Sequence, residues 1–73
     1  MEKNSSRYKE VGTLVSTYNE REIGKPGYVS PFYARDIYGP KVFKEVAERV
    51  GVTPEELFEF LKLVEPDLMP LDA

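Results

Sequence analysis

The side chains able to do chemistry in this sequence are carboxylates, hydroxyls, lysines and arginines, because it contains neither cysteine nor histidine. That composition excludes disulfide frameworks, thiol nucleophiles, zinc fingers and imidazole bases. The densest group of carboxylates is Glu55, Glu56 and Glu59. General acid–base work needs two carboxylates in a shared, partly buried cleft with their pKa values pushed apart. These three fall instead on the polar face of an amphipathic helix, in its first turns, where water and the positive end of the helix dipole account for them. The loop Gly24-Lys25-Pro26-Gly27 has neither the upstream glycine nor the following Ser or Thr of a phosphate loop. The expectation is a protein with no catalytic constellation, no metal site and no cofactor, and not an enzyme.

A second chemistry is offered by the five tyrosines, each of which has a cation nearby in sequence: Arg7-Tyr8-Lys9, Tyr18 with Arg21, Lys25 with Tyr28, Tyr33 with Arg35, and Tyr38 with Lys41. Aromatic rings that stack on bases, interleaved with cations that track a phosphate backbone, bind single-stranded nucleic acid. Tyrosine also serves as a half-buried core residue with a wet hydroxyl, and that reading is the simpler one.

The elements that must position these groups are helical in the second half of the chain. Thr53-Pro54-Glu55-Glu56 supplies an N-cap, a first-turn proline and a glutamate three residues after the cap. A helix over 54–64 follows, with Pro66 and Pro70 expected to stop it. Val42, Phe43, Val46, Ala47 and Val50 share one face of a helix over 41–50, which opens at Pro40 and is capped by Gly51. Its outer face sets Lys41 against Glu45, Lys44 against Glu48 and Glu45 against Arg49, each four apart. Ser30-Pro31 begins a shorter helix near 31–38 that Gly39-Pro40 ends.

Residues 8–18 read two ways. Tyr8, Val11, Leu14, Val15 and Tyr18 fit a helical stripe, whereas Val11, Thr13, Val15 and Thr17 alternate as a strand does. The β-branched residues and Gly12, which weakens a helix by ~1 kcal/mol relative to alanine, favour an N-terminal strand or hairpin, paired near Tyr28-Val29, over the alternative amphipathic helix. The expected class is therefore mainly α, with α+β possible.

The 73 residues make one small domain, with residues 1–6 and 66–73 expected as flexible tails. No apolar run approaches the ~20 residues that cross a bilayer, and no hydrophobic signal core follows the first residues, so a cytoplasmic location is the default. Net charge is -3, unevenly spread: residues 1–44 hold eight bases against five acids, and residues 45–73 hold two bases against eight acids.

The segment Phe43 to Lys62 resembles the helix-turn-helix of DNA-binding regulators. Ala47 takes the small-residue place, Gly51 the turn glycine, and Val46, Val50, Val52, Leu57 and Phe60 the buried places. The resemblance implies that residues 54–64 would be a recognition helix in the major groove. The outward residues of that helix are Pro54, Glu55, Glu56, Glu59 and Lys62, and carboxylates do not neutralise phosphates. Contacts to nucleic acid would then fall to the basic N-terminal part: Arg7, Lys9, Arg21, Lys25 and Arg35.

The last helix also carries more apolar surface than its own core needs. Leu57, Phe60, Leu61 and Val64 make one stripe, and Phe58 and Leu63 widen it to an arc of roughly 220°. Leu68, Met69 and Leu71 follow. The leading expectation is a small non-catalytic protein-interaction module, a regulator or adaptor that pairs with itself as a homodimer or with another protein. Phe58, Leu63, Leu68 and Met69 would form the interface. The alternative is a helix-turn-helix-like nucleic-acid-binding regulator.

Overall fold

The computed structural model describes the backbone of residues 1–68 and the side chains of residues 1–64. Three α-helices, α1 (Ser6–Glu22), α2 (Pro40–Val50) and α3 (Pro54–Leu68), and a π-helical turn (Ala34–Tyr38) account for its regular structure. Each α-helix packs on the other two, and the π-turn packs on α2.

The N-terminal strand or hairpin is overturned: residues 8–18 lie inside α1, and the described residues contain no strand. Ser5 starts the helix, its hydroxyl accepting a hydrogen bond from the Tyr8 amide at 3.1 Å. A strand would put Val11, Thr13, Val15 and Thr17 on one face. The helix separates them, burying both valines together with Tyr18 and leaving both threonines exposed. Thr13 turns its hydroxyl back to the Lys9 carbonyl at 3.1 Å. Burial of the stripe outweighs the few tenths of a kcal/mol that each β-branched residue costs a helix. Gly12, which argues against a helix on propensity, has a packing role: a Cβ there would stand 3.3 Å from the Phe60 ring of α3.

Glycine ends α2 as its position predicts. Gly51 adopts φ 104°, and the amides of Gly51 and Val52 both donate to the Ala47 carbonyl, at 2.9 and 3.0 Å. Thr53 and Glu56 then form a reciprocal capping box, with Glu56 N–H on Thr53 Oγ1 at 3.0 Å and Thr53 N–H on Glu56 Oε1 at 3.3 Å. α3 continues to Leu68, past the stop expected at Pro66. A proline within a helix removes one amide donor, and here that loss does not end the helix.

The core joins Val11, Val15 and Tyr18 of α1, Ala34 of the π-turn, Phe43, Val46, Ala47 and Val50 of α2, Val52, and Leu57 and Phe60 of α3. The expected pairs along the outer face of α2 do not form among the described residues. Arg49 reaches instead to Glu22 at 3.5 Å and to the Gly27 carbonyl at 3.3 Å, fastening the loop after α1. No helix among the described residues is long and apolar enough to cross a membrane.

Candidate interaction surface

Tyrosine use divides the molecule. Tyr18 is buried and donates to the Val29 carbonyl at 3.1 Å, while Tyr28 stacks on it at 5.8 Å between centroids and donates to Asn19 Oδ1 at 2.8 Å. Tyr8 packs its ring 5.2 Å from that of Phe60. These three rings hold the fold together. Tyr33 and Tyr38 do not, being 60% and 56% exposed.

Local backbone chemistry explains why those two rings face water. Ser30 caps the segment, its hydroxyl accepting from the Phe32 amide at 3.2 Å and its carbonyl from the Tyr33 and Ala34 amides at 3.1 and 3.0 Å. Pro31 and Ala34 are buried as anchors. The helix expected over 31–38 is thus a turn followed by one π-helical turn, in which the Gly39 amide bonds back five residues to Ala34 at 3.1 Å. Gly39, at φ 97° and ψ 173°, then sends the chain into α2 through a conformation that a side chain would strain. Tyr33 and Ile37, four apart, and Tyr38 are left outside, with Ile37 66% exposed. Three large apolar side chains exposed on one short segment form the most concentrated such group among the described residues. The fourth large exposed hydrophobe, Ile23, follows α1.

Arg35 leaves the same segment in another direction. Its guanidinium carbon lies 4.4 Å from the centre of the Phe58 ring on α3, and Lys62 Nζ lies 5.3 Å from that same ring. Phe58 is half-buried and packs against the core, so it is partly used by its own fold. Leu63 is also half-buried. Leu68 and Met69, the other interface candidates, lie outside the described side chains.

The five basic residues expected to meet nucleic acid are not brought together. Arg7 faces α3, where Nε and Nη2 donate to the two carboxylate oxygens of Glu56 at 2.8 and 2.6 Å, and Nη1 reaches Glu10 at 2.8 Å. The Arg7 bonds, aided by the Thr53 amide, hold the Glu56 carboxyl down at about 2. Arg21 pairs with Glu22 at 2.9 Å and lowers that carboxyl too, and Arg35 stacks on Phe58. Lys9 and Lys25 are exposed on α1 and in the following loop. Of the three glutamates that open α3, Glu56 serves the capping box and Arg7, Glu59 accepts from the Met1 ammonium at 2.8 Å, and Glu55 faces water. Among the described residues no polar or charged side chain is buried, and no group of three or more carboxylates is placed to hold a metal ion.

The interface expected from the sequence comprises Phe58, Leu63, Leu68 and Met69 and does not include the exposed Ile37. The available signal was Tyr33, Ile37 and Tyr38 in a segment too short, and too tightly bounded by Pro31 and Gly39-Pro40, to bury all its apolar residues. Comparison of the chain with protein-family models, with curated proteins and with solved structures finds no match.

Proposed function

We propose that this chain is a small non-catalytic protein-interaction module, a regulator or adaptor, that engages its partner through Tyr33, Ile37 and Tyr38. The observation that carries the reading is the exposure of those three side chains, at 60%, 66% and 56%, on a segment anchored through buried Pro31 and Ala34. Burying a large apolar side chain stabilises by about 1.5–3 kcal/mol relative to leaving it in water, which gives a partner a substantial gain. The anchored backbone also spares much of the ordering cost that a flexible loop incurs on binding.

The alternative of a helix-turn-helix regulator draws support from the short Gly51–Thr53 turn between α2 and α3. It is weakened by Glu55 and Glu59 on the exposed side of α3 and by the ion pairs of Arg7 and Arg21. A pull-down from the native host's lysate at low and high salt, with and without nuclease, separates the two. Partners retained at high salt and after nuclease, and lost with Ile37→Ser plus Tyr38→Ser, support the interaction module. Partners lost on nuclease treatment support the alternative.

A further inference from the structure

The outer face of α2 carries two lysines followed by two glutamates. At about 100° per residue, Lys41, Lys44, Glu45 and Glu48 fall within a single arc of about 100°, and all four are exposed. Among the described residues none of them has a partner within ion-pair distance, in contrast to Arg49 of the same helix, which reaches Glu22. The order of these charges works against the helix that bears them. The lysines stand toward the positive N-terminal end of its dipole and the glutamates toward the negative C-terminal end, and a lysine four residues before a glutamate is the weaker orientation of that pair.

A second copy laid antiparallel fits this order. A twofold axis crossing between positions 44 and 45 sets Lys41 opposite Glu48 of the other copy and Lys44 opposite its Glu45, so four ion pairs form across the axis. Each lysine then also lies toward the negative end of the other dipole. Sliding the copies by four residues sets Lys41 against Lys44 or Glu45 against Glu48, and parallel pairing sets lysine beside lysine, so the face specifies one orientation and one register. Resting on the reading of Tyr33, Ile37 and Tyr38 as a docking surface, we propose that its occupant is a second copy of this chain, paired through α2 about this axis. Exposed ion pairs are each worth no more than about fivefold in affinity, so the α2 charges select the arrangement and apolar contact holds it. Tyr38 is three residues from Lys41, which keeps its Cα within about 11 Å of the Cα of Lys41. Antiparallel pairing brings that end of one copy beside the C-terminal end of the other copy's α2. There Gly51 is exposed and nothing lies within 4 Å of the place its Cβ would take, which leaves bare backbone for Ile37 and Tyr38 to cover. The net charge of -3 on each copy is screened beyond the Debye length of about 8 Å at physiological salt, whereas the α2 charges are in contact. A nucleic-acid strand would meet as many carboxylates as cations on this face.

Sedimentation velocity of the full chain at rising concentration reads the pairing, and charge exchange tests its register. Wild type should associate reversibly. Lys41→Glu and Glu48→Lys should each weaken self-association about tenfold, and an equimolar mixture of these two variants should restore it, because every pair across the axis is then opposite in sign. A mixture of Lys41→Glu with Glu45→Lys should not, since it leaves like charges facing each other at two places. These substitutions suit the dipole of α2 better than the native residues do, so helical circular dichroism should not fall and unfolding cannot account for the loss. Ile37→Ser with Tyr38→Ser should abolish association. Wild type that stays monomeric into the millimolar range would overturn the proposal, and capture of a different protein through Ile37 and Tyr38 would then leave the docking face standing. Self-association that needs Ile37 and Tyr38 but ignores the α2 charges would overturn the pairing through α2 and also leave the face standing. Restoration by both mixtures alike would reduce the effect to bulk charge and overturn the register. Association that follows the α2 charges but is indifferent to Ile37 and Tyr38 would overturn the docking face, and the proposal with it.

Discussion

Arg7 of α1 and Glu56 of α3 meet through two parallel hydrogen bonds, at 2.8 and 2.6 Å, across 49 positions of sequence. Both side chains keep about a third of their surface in water, at 39% and 31%, so solvent screens the pair. The same carboxylate closes the capping box at the start of α3. One group therefore fixes both where α3 begins and how it sits against α1.

Acid should expose that double role. The folded Glu56 carboxyl titrates at about 2 instead of its ordinary 4.5, so the folded state binds its proton less readily than the unfolded chain does. The resulting stability is fully present above pH 4.5 and is lost as the pH falls toward 2. Glu56→Gln should start from a lower denaturation midpoint and lose less of it across that window. Parallel acid profiles for the two proteins would show that the pair contributes nothing to folding.

The Thr53 hydroxyl accepts from the Glu56 amide at 3.0 Å, so Thr53→Ala should cost about 1 kcal/mol. Because the Glu56 side chain also touches Arg7, the costs of Thr53→Ala and Arg7→Gln should not add. A double-mutant cycle in urea measures the coupling, and strict additivity would separate the cap from the ion pair.

Leu57 is fully buried, whereas Phe58 and Leu61 are only partly so. Leu57→Ala should therefore cost about 2–5 kcal/mol, and truncation of its two partly buried neighbours less. At the α1–α3 contact, Gly12→Leu forces a side chain against Phe60 and should destabilise by about 1–3 kcal/mol. Thermal unfolding that ranks Phe58→Ala above Leu57→Ala would contradict this packing.

The exposed segment should behave in the opposite way. Ile37→Ser removes an apolar side chain that is already 66% in water, so the unfolding free energy should stay within about 0.5 kcal/mol of wild type. A larger loss would mean that Ile37 belongs to the folded core, and its place in a docking face would fall with it.

The capped ends of α2 and α3 were legible because each is fixed by residues adjacent in sequence: Pro40 and Gly51 for one, Thr53 and Glu56 for the other. α1 was not, since its choice between two periods is settled by a distant residue. Only with Phe60 of α3 in place does Gly12 count as a contact instead of a weak point. The same holds for the charges. Local spacing suggested that Glu45 pairs with Arg49 and that Arg7 is available to phosphate, but Arg49 finds Glu22 and Arg7 finds Glu56 across the fold. The exposed group of Tyr33, Ile37 and Tyr38 was half legible. Tyr33, Tyr38 and Arg35 stood out as a ring-and-cation pattern, but which of the five tyrosines would remain outside depended on Tyr18 and Tyr28 stacking together.

The bond from the Gly39 amide to the Ala34 carbonyl spans one residue more than an α-helical turn would. Such a widened turn is what an α-helix becomes when a single residue is inserted into it. Only Ile37 stands between Asp36 and Tyr38, so deleting it would let the turn tighten to α-helical spacing and absorb the loss locally, with Tyr38 next to Asp36. Arg35, lying before the deletion, would stay over Phe58. The most exposed side chain of the segment thus rides on its one surplus residue: a single deletion there reduces the exposed group to Tyr33 and Tyr38 and leaves the buried Pro31 and Ala34 in place.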